Sequence, residues 1–115
     1  MYLNVVGGFQ LREPSGDLAV AMCLYSSLVD RPINPRLAAF GEIGLGGEIR
    51  SVSYLQQRLR EAERLGFEIC IVPKHSLDNI DLGSFKMKIA GVTTLKQAFS
   101  ILNKTFTQKD KTDVN

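Results

Sequence analysis

The sequence predicts one α+β domain in which helices pack on a mixed sheet, and three observations support this class. The 115 residues are enough for a single hydrophobic core. Apolar residues recur every three or four positions in three segments, which is typical of amphipathic helices. Short runs rich in β-branched residues lie between glycine and proline turns, as strands do. Because these segments alternate along the chain, we expect the helices to cover the sheet.

Composition and charge narrow the class of protein. Hydrophobic residues make up 44% of the chain and charged residues 23%, with a net charge of +2, which permits a polyanionic partner without requiring one. No apolar run approaches the roughly 18 residues that span a membrane. The N-terminus lacks the pattern of a secretory signal. We therefore expect a cytoplasmic protein with no membrane partner.

The first third of the chain predicts two short strands and a helix. Residues 2–6 and 9–11 are the strands, and the helix covers residues 17–29. Ser15 or Asp17 is expected to cap it. The predicted apolar face of this helix consists of Leu18, Ala21, Met22, Tyr25, Leu28 and Val29.

The middle third predicts a hairpin followed by a second helix. Two prolines exclude a helix from residues 31–35. Residues 37–43 and 48–52 are predicted to pair as strands across a glycine turn. The next helix places its apolar residues on one face and ends at Gly66. That face consists of Leu55, Leu59, Ala62 and Leu65.

The last third predicts a buried strand, another strand and a third helix. Residues 67–72 are almost continuously apolar, which indicates a strand covered on both faces. A polar loop, a strand over residues 85–92 and a helix over residues 93–102 follow, with Thr93 or Thr94 as cap. Residues 103–115 are polar and predict a flexible tail, so the domain is expected to occupy residues 1–102.

The thiols and the histidine offer little chemistry. Cys23 and Cys70 each lie in an apolar pattern and are predicted to be buried and reduced. One histidine, His75, and two separated cysteines do not form a metal-ligand pattern. No metal site is expected.

Ser15 is the first candidate nucleophile. The free N–H groups of the following helix could stabilise an oxyanion beside it. A serine before a helix is also an ordinary N-cap. A nucleophilic serine needs a base, and no sequence spacing pairs it with His75.

Gln56 and the glycines of residues 41–47 have structural interpretations. Ser53 and Gln56 have the spacing of a capping box. The glycines are not followed by the Gly-Lys-Ser/Thr of a phosphate loop, and they connect strand to strand. They are therefore interpreted as turn residues, and this chain alone is not expected to hydrolyse ATP.

Basic residues define the candidate nucleic-acid contacts. The helix after the hairpin carries several arginines, with possible i,i+3 pairs Arg58–Glu61 and Arg60–Glu63. The alternatives are a solvated face or a surface that contacts phosphates. No aromatic residues interleave with these cations, so base stacking is not indicated. The candidates are Arg50, Arg58, Arg60, Arg64 and Lys74, with Arg36 as a further possibility.

Several motifs, in order, resemble a known family. Residues 4–8 read NVVGG, residues 40–50 FGEIGLGGEIR, residues 65–67 LGF and residues 71–74 IVPK. Together they resemble the C-terminal Lon-protease-like domain of the bacterial RadA (Sms) DNA repair and recombination ATPases, and the likeness covers residues 2–102. The resemblance implies a fold like the second domain of ribosomal protein S5. It also implies opening strands before Met1, and an upstream ATPase core and zinc-binding module.

The resemblance also implies what the site residues do. Ser15 occupies the nucleophile position of Lon proteases, and Gln56 stands where the base lysine stands. An amide cannot accept the proton of a serine, so the dyad is vestigial and no catalytic residue is expected. ATP, Mg and Zn are implied for the upstream domains, and no cofactor or small-molecule substrate for this chain.

The expected function is therefore non-catalytic. The family implies support of ring (hexamer) assembly and DNA contact, with the ATPase core and neighbouring subunits as partners. One alternative is an ATP-dependent Lon-type serine peptidase that uses Ser15. Another is a purely structural domain without a nucleic-acid role.

Overall fold

The computed structural model describes residues 16–105 and confirms the α+β class. The strands predicted over residues 2–6 and 9–11 lie outside this range, as do Ser15 and residues 106–115. Two short 3₁₀ turns, Lys74–Leu77 and Leu82–Ser84, fill the predicted polar loop. The other elements, in chain order, are α1 (Asp17–Val29), β1 (Leu37–Ala39), β2 (Glu42–Ile43), β3 (Ile49–Arg50), α2 (Leu55–Arg64), β4 (Ile69–Pro73), β5 (Lys88–Val92) and α3 (Leu95–Thr105).

The central strand is β4, as its apolar sequence predicts. It pairs in parallel with β1 on one side and with β5 on the other. Cys70, Ile71 and Val72 are fully buried. A strand covered on both faces has no solvent-facing side chains, which explains the absence of alternation in its sequence.

The helices cover both faces of this parallel sheet. Alternate side chains of a strand point to opposite faces, so Ile71 points away from Cys70 and Val72. Ile71 belongs to the core formed with α1 and α3, which includes Leu18, Met22, Val92, Ala98 and Leu102. Cys70 and Val72 belong to the core formed with α2, which includes Leu55, Leu59, Ala62, Phe85 and Met87.

The predicted strand over residues 37–43 is broken near Gly41. The N–H of Phe40 still donates to Ile71, but the Gly41 carbonyl accepts from the N–H of Leu18 at 3.0 Å. A Cβ atom at Gly41 would lie 3.0 Å from Cγ2 of Ile49. The chain therefore leaves the parallel sheet here, and β2 pairs with β3 as a separate antiparallel hairpin.

The glycine turn between β2 and β3 is confirmed. The N–H of Gly47 donates to the Gly44 carbonyl at 3.0 Å, and the N–H of Gly44 donates to the Glu48 carbonyl at 2.9 Å. Gly47 has φ of +85°, a conformation that residues with a Cβ rarely adopt. This position explains why the turn contains glycine.

The bounds of α1 agree with the prediction, whereas α3 runs from Leu95 to Thr105 instead of residues 93–102. Three of the predicted core residues are exposed: Leu28 at 85%, Val29 at 38% and Leu65 at 62%. Leu28 and Val29 lie in the last turn of α1, and Leu65 is the residue that follows the last turn of α2. Each therefore lies at the end of its helix, beyond the buried side chains. The cap of α3 is confirmed, since the Thr94 hydroxyl accepts from the N–H of Gln97 at 3.2 Å.

Candidate functional site

Gln56, which the sequence resemblance places at the Lon lysine position, is an exposed residue in the first turn of α2. The capping box predicted for it is wrong. Tyr54, with φ of 59°, is the N-cap, and it makes no side-chain capping bond. The helix therefore begins one residue too late for Ser53 to cap it and for Gln56 to reach back. The Ser53 carbonyl instead accepts from Nε of Arg58 at 3.0 Å.

The start of α1 is held by contacts with the hairpin. Gly16, not Asp17, is the N-cap. Oδ2 of Asp17 accepts from the N–H of Ile43 at 3.1 Å, so the prediction that Asp17 caps the helix is wrong. Its carboxylate links α1 to β2 instead. Ser15, the predicted counterpart of the Lon nucleophile, lies just outside the described residues.

The carboxylate of Glu48 occupies the concave side of the glycine turn. Oε1 accepts from the N–H of Gly46 at 3.0 Å, and Oε2 lies 3.3 Å from Nη2 of Arg50. Bonds from backbone N–H groups, above all its own, and from the Arg50 guanidinium hold the pKa of Glu48 below its usual range. The turn is thus bound by a carboxylate of the same chain, which agrees with its interpretation as a turn rather than a phosphate loop.

The predicted arginine contacts do not form one cationic patch. Arg50 faces Glu48 and lies 4.0 Å from Glu42. Arg64 pairs with Glu61 and keeps the pKa of that carboxyl low. The guanidinium of Arg60 lies 5.3 Å from the centre of the Phe85 ring.

Lys74 differs from the arginines because it is exposed beside a small polar cavity. It follows β4 directly, at the carboxyl end of the parallel sheet. The cavity has a volume of about 300 Å³, and its polar lining includes Lys74, Thr93, Gln97 and Ser100. His75 is exposed in the same 3₁₀ turn.

An apolar groove of about 830 Å³ lies between α1, β1 and α2. Its lining includes Met22, Cys23, Ala38, Ala62 and Phe67. Cys23 is exposed, so the prediction that both thiols are buried holds for Cys70 and is wrong for Cys23. Periodicity placed Cys23 within an apolar helix, but the residue lies beside the buried stripe formed by Leu18 and Met22.

Glu63 makes a contact that spacing along the chain did not predict. Its Oε2 accepts from the N–H of Lys86 at 2.6 Å and from that of Met87 at 2.9 Å. Arg60, its expected partner, packs on Phe85 instead. The carboxylate therefore ties α2 to the segment that leads into β5.

We expect Glu63→Ala to destabilise the fold by about 1–3 kcal/mol, because one acceptor of two backbone N–H groups is lost. Glu61→Ala removes an exposed pair with Arg64 and should cost no more than about 1 kcal/mol. Urea unfolding of the two variants measures the difference. Equal losses of stability in the two variants would contradict the role of Glu63 in linking α2 to the segment before β5.

Two kinds of site are absent from the part of the chain with described structure. Within residues 16–105, no group of three or more His, Cys, Asp or Glu side chains could hold a metal ion. In the same range, no helix combines the length and apolar character that crossing a bilayer requires.

Comparison with known proteins assigns this α+β domain to a family. The family model described as subunit ChlI of Mg-chelatase matches residues 8–76. The chain belongs to this family.

Several proteins named DNA repair protein RadA are similar to this chain. DNA repair protein RadA of Streptococcus pneumoniae is 46% identical over 105 residues, covering 91% of this chain and 24% of that protein. DNA repair protein RadA of Aquifex aeolicus is 39% identical over 102 residues, covering 89% and 22%. The Synechocystis protein of the same name is 53% identical over 73 residues, covering 64% and 14%. The resemblance to RadA is thereby confirmed, and the chain spans at most about a quarter of these relatives.

Proposed function

We propose that this chain is the non-catalytic, Lon-like domain of a RadA-type DNA repair ATPase, where it supports ring assembly and contacts DNA. The observation that carries the proposal is the 46% identity to a DNA repair protein RadA across 91% of the chain. Because the chain matches only 24% of that relative, ATP, Mg and Zn belong in the proposal to domains outside this chain.

The exposure of the lysine and histidine side chains supports a non-catalytic role, because these residues are the candidates for a general base. A lysine acts as a base when burial lowers its pKa. All five lysines within residues 16–105 are exposed, as is His75. The side-chain amide of Gln56 does not titrate near neutral pH, so it cannot act as a general base. These observations favour a vestigial dyad.

Exposed apolar side chains support a role in assembly. Leu24, at 59% exposure, and Leu28 project from α1, and Leu65 projects from the end of α2. Leu65 also lines the apolar groove between these two helices, whereas Leu24 and Leu28 lie outside that lining. In the proposal, a neighbouring subunit of the ring covers this surface, since apolar area removed from water favours association.

A serine-directed fluorophosphonate probe tests the peptidase alternative. We expect no labelling of the folded chain, and therefore no difference between the wild type and Ser15→Ala. Labelling that disappears in Ser15→Ala would support the Lon-type peptidase and overturn the non-catalytic role.

Mass photometry tests the assembly role. Deleting this domain from the intact ATPase should reduce its hexamer fraction, and Leu28→Glu should do so without unfolding the domain, because Leu28 is exposed. Ser27→Glu, also on an exposed position of α1, is the control for added charge. An unchanged hexamer fraction after deletion would exclude the assembly role.

A further inference from the structure

We propose that the chain binds the phosphate backbone of duplex DNA through a lysine surface on β5, α3 and the 3₁₀ turn after β4, and not through the arginines of α2. This surface, called the lysine edge, consists of Lys74, Lys88, Lys96 and Lys104. The inference rests on the proposed DNA contact and specifies where on the molecule it occurs.

The charge distribution separates the two surfaces. Residues 86–105 contain no aspartate or glutamate. Their four lysines are exposed; three of them belong to the lysine edge, and the fourth is Lys86. Helix α2 carries three arginines but also two glutamates. A polyanion therefore meets positive charge without interruption along β5 and α3, whereas on α2 it meets both signs.

The lysines of α3 lie on one side of the helix. Ala98 and Leu102 are buried against the sheet. Successive members of the series Lys96, Ser100 and Lys104 are four residues apart, so all three lie on the same side of the helix. All three are exposed. At 1.5 Å per residue, Lys96 and Lys104 are about 12 Å apart along the helix axis. Each DNA strand has a phosphate every ~3.4 Å of axis, so this distance covers several phosphates.

Lys74 extends the surface on the side of the 3₁₀ turn. It shares the polar cavity with Gln97 and Ser100 of α3. Its backbone lies close to β5, because a Cβ atom at Gly91 would be 3.0 Å from the Lys74 Cα. Gly91 thus permits the approach that places Lys74 beside α3.

Two of three acidic residues near the lysine edge have cationic partners within the domain. The backbone of Glu48 bridges to Thr94 at the start of α3, and its carboxylate is held by Arg50 and the N–H of Gly46. Glu68, whose carbonyl accepts from the N–H of Lys88, lies 3.8 Å from Arg36. Asp78 is exposed at the end of the 3₁₀ turn that Lys74 begins. The first two carboxylates therefore have cationic partners other than the lysines.

The arginines of α2, in contrast, are used within the fold. Arg64 pairs with Glu61, Arg60 lies over Phe85, and Arg58 donates to the Ser53 carbonyl. Releasing these groups to bind phosphates would cost the contacts they already make. The lysine edge requires no such exchange.

The described residues of β5 and α3 offer no exposed aromatic ring for stacking, which favours duplex DNA over bases of a single strand. The aromatic residue of α3, Phe99, is half-buried and stacks on Tyr25 with ring centres 4.2 Å apart. Single-strand binding depends on aromatic rings that face the bases. Lysine ammonium groups alone suit contact with phosphates, which is independent of sequence.

Fluorescence anisotropy with a labelled 25-base-pair duplex tests the inference on the full chain between about 50 and 200 mM KCl. The slope of log K against log salt should decrease in magnitude by about 0.9 for each lost phosphate contact. Lys96→Gln/Lys104→Gln should therefore lower it by about 2. The matched variant Arg60→Gln/Arg64→Gln removes the same charge from α2 and should bind like the wild type.

The other outcomes of this experiment distinguish a failure of the lysine edge from a failure of the proposed DNA contact. If the arginine variant loses the contacts and the lysine variant does not, the lysine edge is overturned while DNA contact stands. If the wild-type chain does not bind the duplex, the proposed DNA contact fails as well. If polyglutamate binds to the lysine edge as tightly as the duplex binds, the surface is specific for acidic polypeptides, which also overturns the inference.

Discussion

Leu59→Ala is expected to lower the free energy of unfolding by about 2–5 kcal/mol, the usual cost of a buried leucine truncation. Leu59 is 0% exposed and lies in the core between α2 and the sheet, with Cys70 and Val72 of β4. Domains of this size are stable by about 5–15 kcal/mol, so the loss is a large fraction of the total. Urea unfolding followed by circular dichroism measures it as a lower midpoint at an unchanged slope.

Leu65→Ala is the matched control for this variant. The same helical periodicity predicted both leucines on the buried face, but Leu65 is 62% exposed. Its truncation should change stability by about 0.5 kcal/mol or less, as surface substitutions do. A loss equal to that of Leu59→Ala would show that Leu65 is covered in solution and would contradict the described end of α2.

The sequence predicted those parts of the fold that depend on local pattern. The apolar repeat gave the bounds of α1, Asp17–Val29, and the continuous apolar run identified β4 as the central strand. Both signals are strong because they extend over many residues. The glycine turn that contains Gly47 was predictable for a different local reason, since a turn between two strands requires a residue that tolerates positive φ.

Other features depend on neighbours that are distant in the sequence. The break at Gly41 follows from contact with Leu18 and Ile49, which approach only in the folded domain. The capping box at Ser53 and Gln56 had the correct residues, but Tyr54 in the left-handed conformation starts the helix one residue later. The spacing of the motif does not specify which residue adopts the N-cap conformation.

In the candidate site, too, some contacts follow from local sequence pattern and others depend on neighbours that are distant in the sequence. Spacing along α2 predicted charge pairs within the helix, but Arg60 and Glu63 instead contact the segment before β5, through Phe85 and through the N–H groups of Lys86 and Met87. Three of the four lysines of the lysine edge were in principle visible in the sequence, because they lie within residues 86–105, which contain no acidic residue. Only the packing of α3 and β5 indicates that these lysines share a surface.

The two thiols should differ strongly in reactivity toward 5,5′-dithiobis(2-nitrobenzoate) at pH 8. Burial raises the pKa of the Cys70 thiol to about 12, so very little of the reactive thiolate forms at that pH. Cys23 is exposed, although partial burial also raises its pKa. We expect one fast-reacting thiol per native chain. Cys23→Ser should abolish the fast phase and Cys70→Ala should retain it.

The raised pKa of Cys70 also fixes the direction of a pH effect on stability. The folded chain keeps the thiol protonated up to a pKa of about 12, whereas a cysteine in the unfolded chain ionises near 8.5. The unfolded state therefore loses its proton first, and the contribution of Cys70 to stability is complete below about pH 8 and decreases as the pH rises toward 12. Between about pH 8 and 10, the urea midpoint should fall more steeply for Cys23→Ser than for Cys23→Ser/Cys70→Ala. Parallel curves would show that Cys70 ionises equally in both states, and would place it in contact with water.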